Sequence, residues 1–309
     1  MRTILIQPDV KGADKFREIL SADLPDFHIA LSIEDVDLFD IEIVILWLYV
    51  PDFLFGLPNL KLVLTCGSGV DHIIDSPDLP HNIPLIRLVD PFLRDHVSDY
   101  IVEQISKHFF PDINYEKGKE ALYSFFETCE RKKPRIGIMG LGLVGLSTAL
   151  KLLNMGFEVC GWVRLSKPRS IKDVYVGNAE LEDFAKKSDV IVCQLPLTQE
   201  TKGILNIKLF SHLPDGAYLI NVGRGAHLIQ SDLLLSLEMG KISGACLDVF
   251  EVEPLPSNHP FITNPKIKIT PHIAGYIGPE TQAPFASQII ASYYKNEKTK
   301  GEVDYLSLY

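Results

Sequence analysis

The run Arg135-Ile136-Gly137-Ile138-Met139-Gly140-Leu141-Gly142-Leu143-Val144-Gly145 limits the folds open to this chain more than any other stretch. It reads as a short apolar strand entering a glycine turn and then a helix, with Gly140, Gly142 and Gly145 in G-x-G-x-x-G spacing. Such a turn lets the backbone come close to a pyrophosphate, and the N–H groups and positive dipole end of the next helix favour an anion there. Leu143, Leu146, Leu150 and Leu153 recur at helical spacing as one apolar stripe, with Gly156 as a left-handed cap. A G-x-G-x-x-G by itself can be an ordinary tight turn. Between a strand and a helix it points to dinucleotide binding by Gly140, Gly142, Leu143, Val144 and Gly145.

A unit of this kind needs a larger parallel sheet around it, and 309 residues suffice for two domains. Hydrophobic residues make up 46% and charged residues 23%, the balance of a soluble globular protein. No apolar run approaches the roughly 20 residues that span a bilayer. The strand-like start, Met1–Ile6, lacks a signal-peptide pattern. A net charge of −10 without an offsetting basic stripe argues against nucleic acid or an anionic membrane as partner. An anionic small molecule would need locally placed arginines. Cys66, Cys129, Cys160, Cys193 and Cys246 are odd in number and far apart, and most adjoin apolar strand-like runs; reduced, buried thiols in a cytoplasmic protein are expected. No Cys or His spacing suits zinc, so no metal is expected.

Strand-like and helix-like pieces alternate through the first hundred residues. Thr3–Gln7, Ile41–Leu48, Leu60–Cys66 and Ile83–Leu88 read as strands, Asp14–Ser21 as a short helix, and Asp52–Leu60 as a turn-rich connection. From about Asp95 the spacing turns helical, with Val97, Tyr100, Ile101, Gln104, Ile105 and His108 on one side until Pro111. A polar helical stretch, Asn114–Glu130, then leads to the glycine turn, and a domain boundary is expected within this helical linker. Beyond it Arg135–Met139, Phe157–Trp162, Asp189–Leu195, Ala217–Val222, Gly244–Val249 and Ile267–Thr270 form a series of strands separated by helices such as Leu181–Lys187 and Ser231–Met239. That is the pattern of an α/β, doubly wound nucleotide-binding sheet. A last helix, Pro279–Asn296, is expected to return to the first domain.

Ligands of open parallel sheets bind beyond the carboxyl ends of the strands. There the chain carries Gly67-Ser68-Gly69-Val70-Asp71, Gly223-Arg224-Gly225, Phe250-Glu251-Val252-Glu253-Pro254 and Pro271-His272. An arginine, a carboxylate and a histidine therefore share the sheet edge that holds the glycine turn. Individually Arg224 could be a solvated loop cation, Glu251 and Glu253 surface charges, and His272 a satisfied core histidine. Together they make a device: a guanidinium grips a carboxylate, a histidine exchanges a proton, and a neighbouring carboxylate orients the ring. About 20 residues past the glycine turn, where an acid would select the unphosphorylated adenosine ribose, the chain has Trp162-Val163-Arg164-Leu165-Ser166-Lys167. Arg164 and Lys167 favour a 2′-phosphate, unless both are ordinary surface cations.

These stretches, with Leu195-Pro196-Leu197-Thr198, the run Leu213–Gly225, Leu247-Asp248-Val249-Phe250, Glu253-Pro254-Leu255-Pro256 and Thr270-Pro271-His272, resemble the D-isomer-specific 2-hydroxyacid dehydrogenases. Within that family the residues around Asp215–Leu228, with Trp162 and Arg164, are most similar to the bacterial glyoxylate/hydroxypyruvate reductase A branch. The likeness is dense from about 135 to 280 and thinner before. It implies two doubly wound domains with a cleft between them, a flavodoxin-like substrate domain (1–98 plus 280–309) and a Rossmann dinucleotide-binding domain (99–279). It implies that Arg224 binds the substrate's carboxylate and carbonyl, His272 donates the proton, and Glu253 is its partner. Ser68 and Gly69 would hold the carboxylate, Trp47 would lie beside the substrate (or merely pack in the core), Asp248 near the nicotinamide, and Leu195 and Pro196 along the cofactor groove. The implied activity is reduction of small 2-oxo acids, glyoxylate or hydroxypyruvate, by NADPH with NAD as a possible cofactor, in a homodimer joined through the nucleotide domain. Two alternatives stay open: a dinucleotide-sensing corepressor-type module, and a dehydrogenase for a bulkier 2-oxo acid.

Overall fold

The computed structural model describes residues 2–47, 54, 56–67, 69–74, 79–80, 82–88, 91–109, 133–165, 170–299 and 301–303. The chain divides into two compact units, Met1–Leu93 with Ile277–Tyr309, and Arg94–Tyr276.

The first unit is built on β1 (Arg2–Ile6), β2 (Phe27–Ala30), β3 (Ile41–Leu46), β4 (Leu62–Thr65) and β5 (Leu85–Arg87). They form one five-stranded sheet in the order β2-β1-β3-β4-β5, parallel throughout. That is the flavodoxin-like order expected from the resemblance. Both faces are covered, as a parallel sheet requires. On one side Ile4, Ile43, Ile45, Leu62 and Leu64 pack with Phe16 and Leu20 of α1 (Ala13–Asp23) and with Ala283, Ala286 and Ile290 of the last helix, Pro279–Tyr294. On the other, Leu5, Val44, Leu46 and Val63 meet Ile73 and Leu79. The sequence reading lacked β2. This strand is four residues long, has a single neighbour, and carries His28 after an acidic turn, so its apolar signal is weak.

The second unit begins at Arg94, within the helix Pro91–Phe109, whose Val97, Ile101, Gln104 and Ile105 are buried. The helix expected at 114–130 lies outside the described residues. Then come β6 (Arg135–Met139), β7 (Glu158–Val163), β8 (Asp173–Val176), β9 (Val190–Cys193), β10 (Ala217–Asn221), β11 (Ile242–Leu247) and β12 (Ile267–Ile269). The sheet is seven-stranded, in the order β12-β11-β10-β9-β6-β7-β8. All six expected strands are present, shifted at their ends by a residue or two. The seventh, β8, escaped the sequence reading because it is a short edge strand, Asp-Val-Tyr-Val, paired with β7 alone.

The leucine stripe after the glycine turn needs correction. The helix Leu143–Asn154 turns Gly145, Thr148, Ala149 and Leu152 inward, whereas Leu143, Leu150 and Leu153 are exposed. Here closeness of approach outweighs hydrophobicity: the helix start presses so tightly on the turn that only its small residues fit beneath it. Gly156 does cap this helix in the left-handed region, with φ 78°.

In the first unit Glu42 of β3 accepts hydrogen bonds from Lys61 Nζ (2.8 Å) and from the Tyr294 hydroxyl, and lies 3.5 Å from Arg2 Nε. Burial opposes its ionisation, but these donors and charges outweigh it and hold the carboxyl below the usual glutamate range. A carboxyl lowered on folding stabilises the fold above its unfolded pKa and loses that contribution as pH falls through the folded value. Glu42→Gln should therefore cost about 1–2 kcal/mol at neutral pH. In thermal melts as a function of pH, the gap from the native protein should close once the pH drops below the ordinary glutamate range.

Candidate active site

The sheet of the second unit reverses its winding between β6 and β9, and the carboxyl ends of these two strands mark its switch point. Gly140 follows β6 with φ 95°; its N–H donates to Trp162 O (2.9 Å). A side chain at Gly140 would meet Gln194 O at 2.9 Å, and one at Gly145 would stand 1.8 Å from Gly140 O. Both are glycines for internal reasons. Gly142 differs, since a Cβ there would have nothing within 4 Å. It caps the helix beginning at Leu143, so open space adjoins the N–H groups of a helix start. A pyrophosphate fits this arrangement of backbone donors and missing side chains. Val144 is half-buried behind it.

At the end of β7 the Trp162 indole donates to Gly177 O at 2.9 Å and is almost fully buried. Arg164 beyond it is 46% exposed, and its guanidinium lies 3.6 Å from the Glu200 carboxylate. No acidic side chain occupies the strand end. Lys167 lies outside the described residues. After β9, Leu195 is buried, and Pro196 O accepts hydrogen bonds from Thr201 Oγ1 (2.6 Å) and from the His227 ring (3.1 Å).

Arg224 sits just past β10. Asn221 shapes its turn by accepting from the Gly223 N–H (3.1 Å) and donating to Arg224 O (3.0 Å). Arg224 itself is extended (φ −140°, ψ 150°), and its Nη1 donates to Gly223 O at 2.9 Å. A side chain at Gly225 would stand 1.9 Å from the carbonyl carbon of Phe250. The arginine turn therefore lies directly on the chain that leaves β11, the segment bearing Glu253. Sequence reasoning passed over His227. It is fully buried, and its Nδ1 accepts from the Arg224 N–H at 3.0 Å. Its position three residues after Arg224, where a short 3-10 turn brings it back, was the available signal.

Glu253 Oε1 accepts from the Phe250 N–H (2.8 Å), and Oε2 pairs with His272 Nδ1 (2.8 Å). Both side chains are 35% exposed. Burial raises the Glu253 carboxyl, but the hydrogen bonds from His272 and Phe250 and the nearby His272 and Arg224 charges outweigh it, so it stays below the usual range. His272 has φ 54°, a left-handed conformation uncommon for a side chain of this size. Asp248 holds it there. That buried carboxylate accepts from Thr270 Oγ1 (2.6 Å), Ile273 N (2.9 Å) and Ala274 N (2.9 Å), and its carbonyl accepts from the His272 N–H (2.9 Å). Desolvation nevertheless pushes its pKa up, against the lowering effect of those bonds and of His272. Asp248 thus spends both oxygens on the loop that presents the histidine.

In the first unit Trp47 follows β3 and is half-buried, with Lys11 Nζ 4.6 Å from its ring centroid. A side chain at Gly67 would lie 3.6 Å from Trp47 Cδ1, so Trp47 and Gly67 are neighbours. Ser68 lies outside the described residues. Among the described residues no cluster of His, Cys, Asp and Glu could hold a metal ion, and no helix is long and apolar enough to cross a membrane.

Comparison with known proteins identifies the family. Residues 106–274 match the NAD binding domain of D-isomer specific 2-hydroxyacid dehydrogenases. Glyoxylate/hydroxypyruvate reductase A of Salmonella paratyphi B is 38% identical over 252 residues, 80% of this chain and 81% of that protein. The Yersinia enterocolitica reductase of the same name is 38% identical over 76% of this chain and 77% of its own. Among solved structures, a D-isomer specific 2-hydroxyacid dehydrogenase from Xanthobacter autotrophicus in complex with NADPH superposes with a TM-score of 0.85 at 30% identity, covering 100% of this chain and 99% of that one. The NADPH-dependent glyoxylate/hydroxypyruvate reductase of Sinorhizobium meliloti in complex with NADP gives 0.82 at 30% identity, covering 100% of both. With the nucleotide-binding domain matched across more than half of the chain and relatives related to four fifths of it, the chain belongs to the D-isomer specific 2-hydroxyacid dehydrogenase family, whose enzymes use NAD(P).

Proposed function

We propose that this protein reduces small 2-oxo acids, glyoxylate or hydroxypyruvate first, to 2-hydroxy acids with NADPH. The observation that carries the proposal is the His272–Glu253 pair at 2.8 Å beside the Arg224 turn. When bound, the reduced nicotinamide supplies the hydride that reaches the keto carbon. Arg224 holds the substrate carboxylate and draws charge from the carbonyl oxygen. His272, with Nδ1 committed to Glu253, delivers a proton from Nε2 to that oxygen as it gains charge. Glu253 fixes the orientation of the ring through the Nδ1 contact. Asp248 belongs to the cofactor side of this reading, through the loop it holds. Trp47, Ser68 and Gly69 are assigned to the substrate. Gly140, Gly142, Leu143, Val144, Gly145, Leu195 and Pro196 are assigned to the dinucleotide, and Arg164 and Lys167 to its 2′-phosphate. The exposed Leu150, Leu153 and Met155 support a homodimer through this unit.

The decisive assay is NADPH oxidation by the purified protein with a panel of 2-oxo acids, repeated with NADH. Turnover of larger acids only would move the substrate assignment. Cofactor binding with no turnover at all would turn the reading toward a dinucleotide-sensing module. Arg224→Ala should lower kcat/KM by about 10²-fold or more, with both terms affected; near-native activity would remove its role. Glu253→Gln should lower kcat/KM, because the His272 ring then loses the carboxylate that orients it; near-native activity would remove the pairing. In the native enzyme the lowered Glu253 keeps the pair intact through mildly acidic pH, and activity should fail as the pH drops through its folded value. Arg164→Ala should raise KM for NADPH about tenfold and leave KM for NADH nearly unchanged. Equal effects on the two cofactors would exclude contact with the phosphate.

A further inference from the structure

The mechanism above leaves His227 without a part, although it is buried at the centre of the site. Its two ring nitrogens face partners of opposite character. Nδ1 lies 3.0 Å from the Arg224 amide nitrogen, which can only donate. Nε2 lies 3.1 Å from Pro196 O, which can only accept. A single form satisfies both, the neutral imidazole with its proton on Nε2. The protein makes room for this ring: a Cβ at Gly223 would come within 3.0 Å of Nδ1 and 3.1 Å of Cε1. The backbone around the ring is tied down as well. His227 O accepts from the Leu205 N–H (2.9 Å), Ala226 O accepts from the Gly203 N–H (2.9 Å), and the His227 N–H donates to Arg224 O (3.2 Å).

The geometry points to His227 as a positioning residue, an imidazole fixed as its Nε2–H tautomer that sets the Arg224 turn against the Leu195–Pro196 segment. This rests on the reading that Arg224 holds the substrate and that Pro196 lines the dinucleotide groove. On that reading one ring fixes the spacing between the group that grips the oxo acid and the groove that holds the dinucleotide. Hydride transfer is sensitive to such spacing, and misplacement by about 1 Å can cost 10²-fold in rate. His227 touches neither substrate nor cofactor in this scheme; it acts through the two segments it joins.

Two measurements test the inference. The first uses the unmodified protein labelled with 15N-histidine. The His227 ring should show a bare Nδ1 and a protonated Nε2 near neutral pH; an Nδ1–H tautomer or an imidazolium would overturn the proposal. The second compares variants that restore one contact each. In His227→Asn the amide oxygen can stand in for Nδ1 and keep the Arg224 N–H bonded, while reach to Pro196 is lost. In His227→Gln the amide nitrogen can stand in for Nε2, while Arg224 loses its acceptor. The expected split is a KM for the oxo acid near native but a kcat about tenfold lower in the Asn variant, and a raised oxo-acid KM in the Gln variant. His227→Leu should show both losses. Native kcat and KM per folded molecule in all three, with only the melting temperature lowered, would mean a structural role alone and overturn the inference. If the unmodified protein reduces no oxo acid, the functional reading fails, and the tautomer measurement alone then decides whether the ring bridges the two segments as stated.

Discussion

The site depends on how closely two backbone segments can lie. Where Gly225 rests on Phe250 and Glu251, a single added methyl group would stand 1.9 Å from a carbonyl carbon, far inside any van der Waals contact. That approach carries the arginine turn after β10 onto the segment leaving β11. It thereby brings the Arg224 charge near the Glu253 carboxylate, which is paired with a histidine. The glycine turn after β6 obeys the same rule: Gly145 and Gly140 meet at a distance that excludes a side chain. Parallel strands ending at a common edge supply the framework, and glycines at the crossing points let the functional loops stack on one another.

Polar groups then fix what the backbone contacts bring together. Asp248 is almost completely buried, a costly place for a carboxylate, yet three donors from Thr270, Ile273 and Ala274 meet it. Removing any of them would leave part of a buried charge unsatisfied. Its burial is thus coupled to one conformation of the segment that presents His272. Asn221 does the same for the Arg224 turn with neutral hydrogen bonds. The Glu253–His272 pair stays partly exposed, while the Asp248 and Asn221 side chains are buried and hydrogen-bonded.

Much of this was legible in the sequence, for identifiable reasons. Central strands such as Arg135–Met139 and Ala217–Asn221 are largely apolar and almost wholly buried, and the glycine turn has a fixed spacing. The edge strands Phe27–Ala30 and Asp173–Val176 have one neighbour each, so little burial marks them. The leucine stripe misled because spacing reports which residues share a helix face but not which face is inward; the small residues decided that. Arg224, Glu253 and His272 were visible as residue types at strand ends. His227 was not, since nothing in a lone histidine tells which backbone groups its ring will meet. Asp248 was placed near the cofactor, but its engagement with the 270–274 segment depends on a turn that no local pattern announces.

The left-handed backbone of His272, at φ 54°, bears on how this protein can change. A residue held in that region costs on the order of 1–3 kcal/mol, a cost that glycine escapes and asparagine tolerates more readily. On the proposed role of His272 in proton transfer, stability and chemistry pull in opposite directions at this position. Selection for a sturdier fold would accept the loss of the imidazole, and a chain that kept this architecture after giving up proton transfer could hold its shape more firmly than the enzyme does.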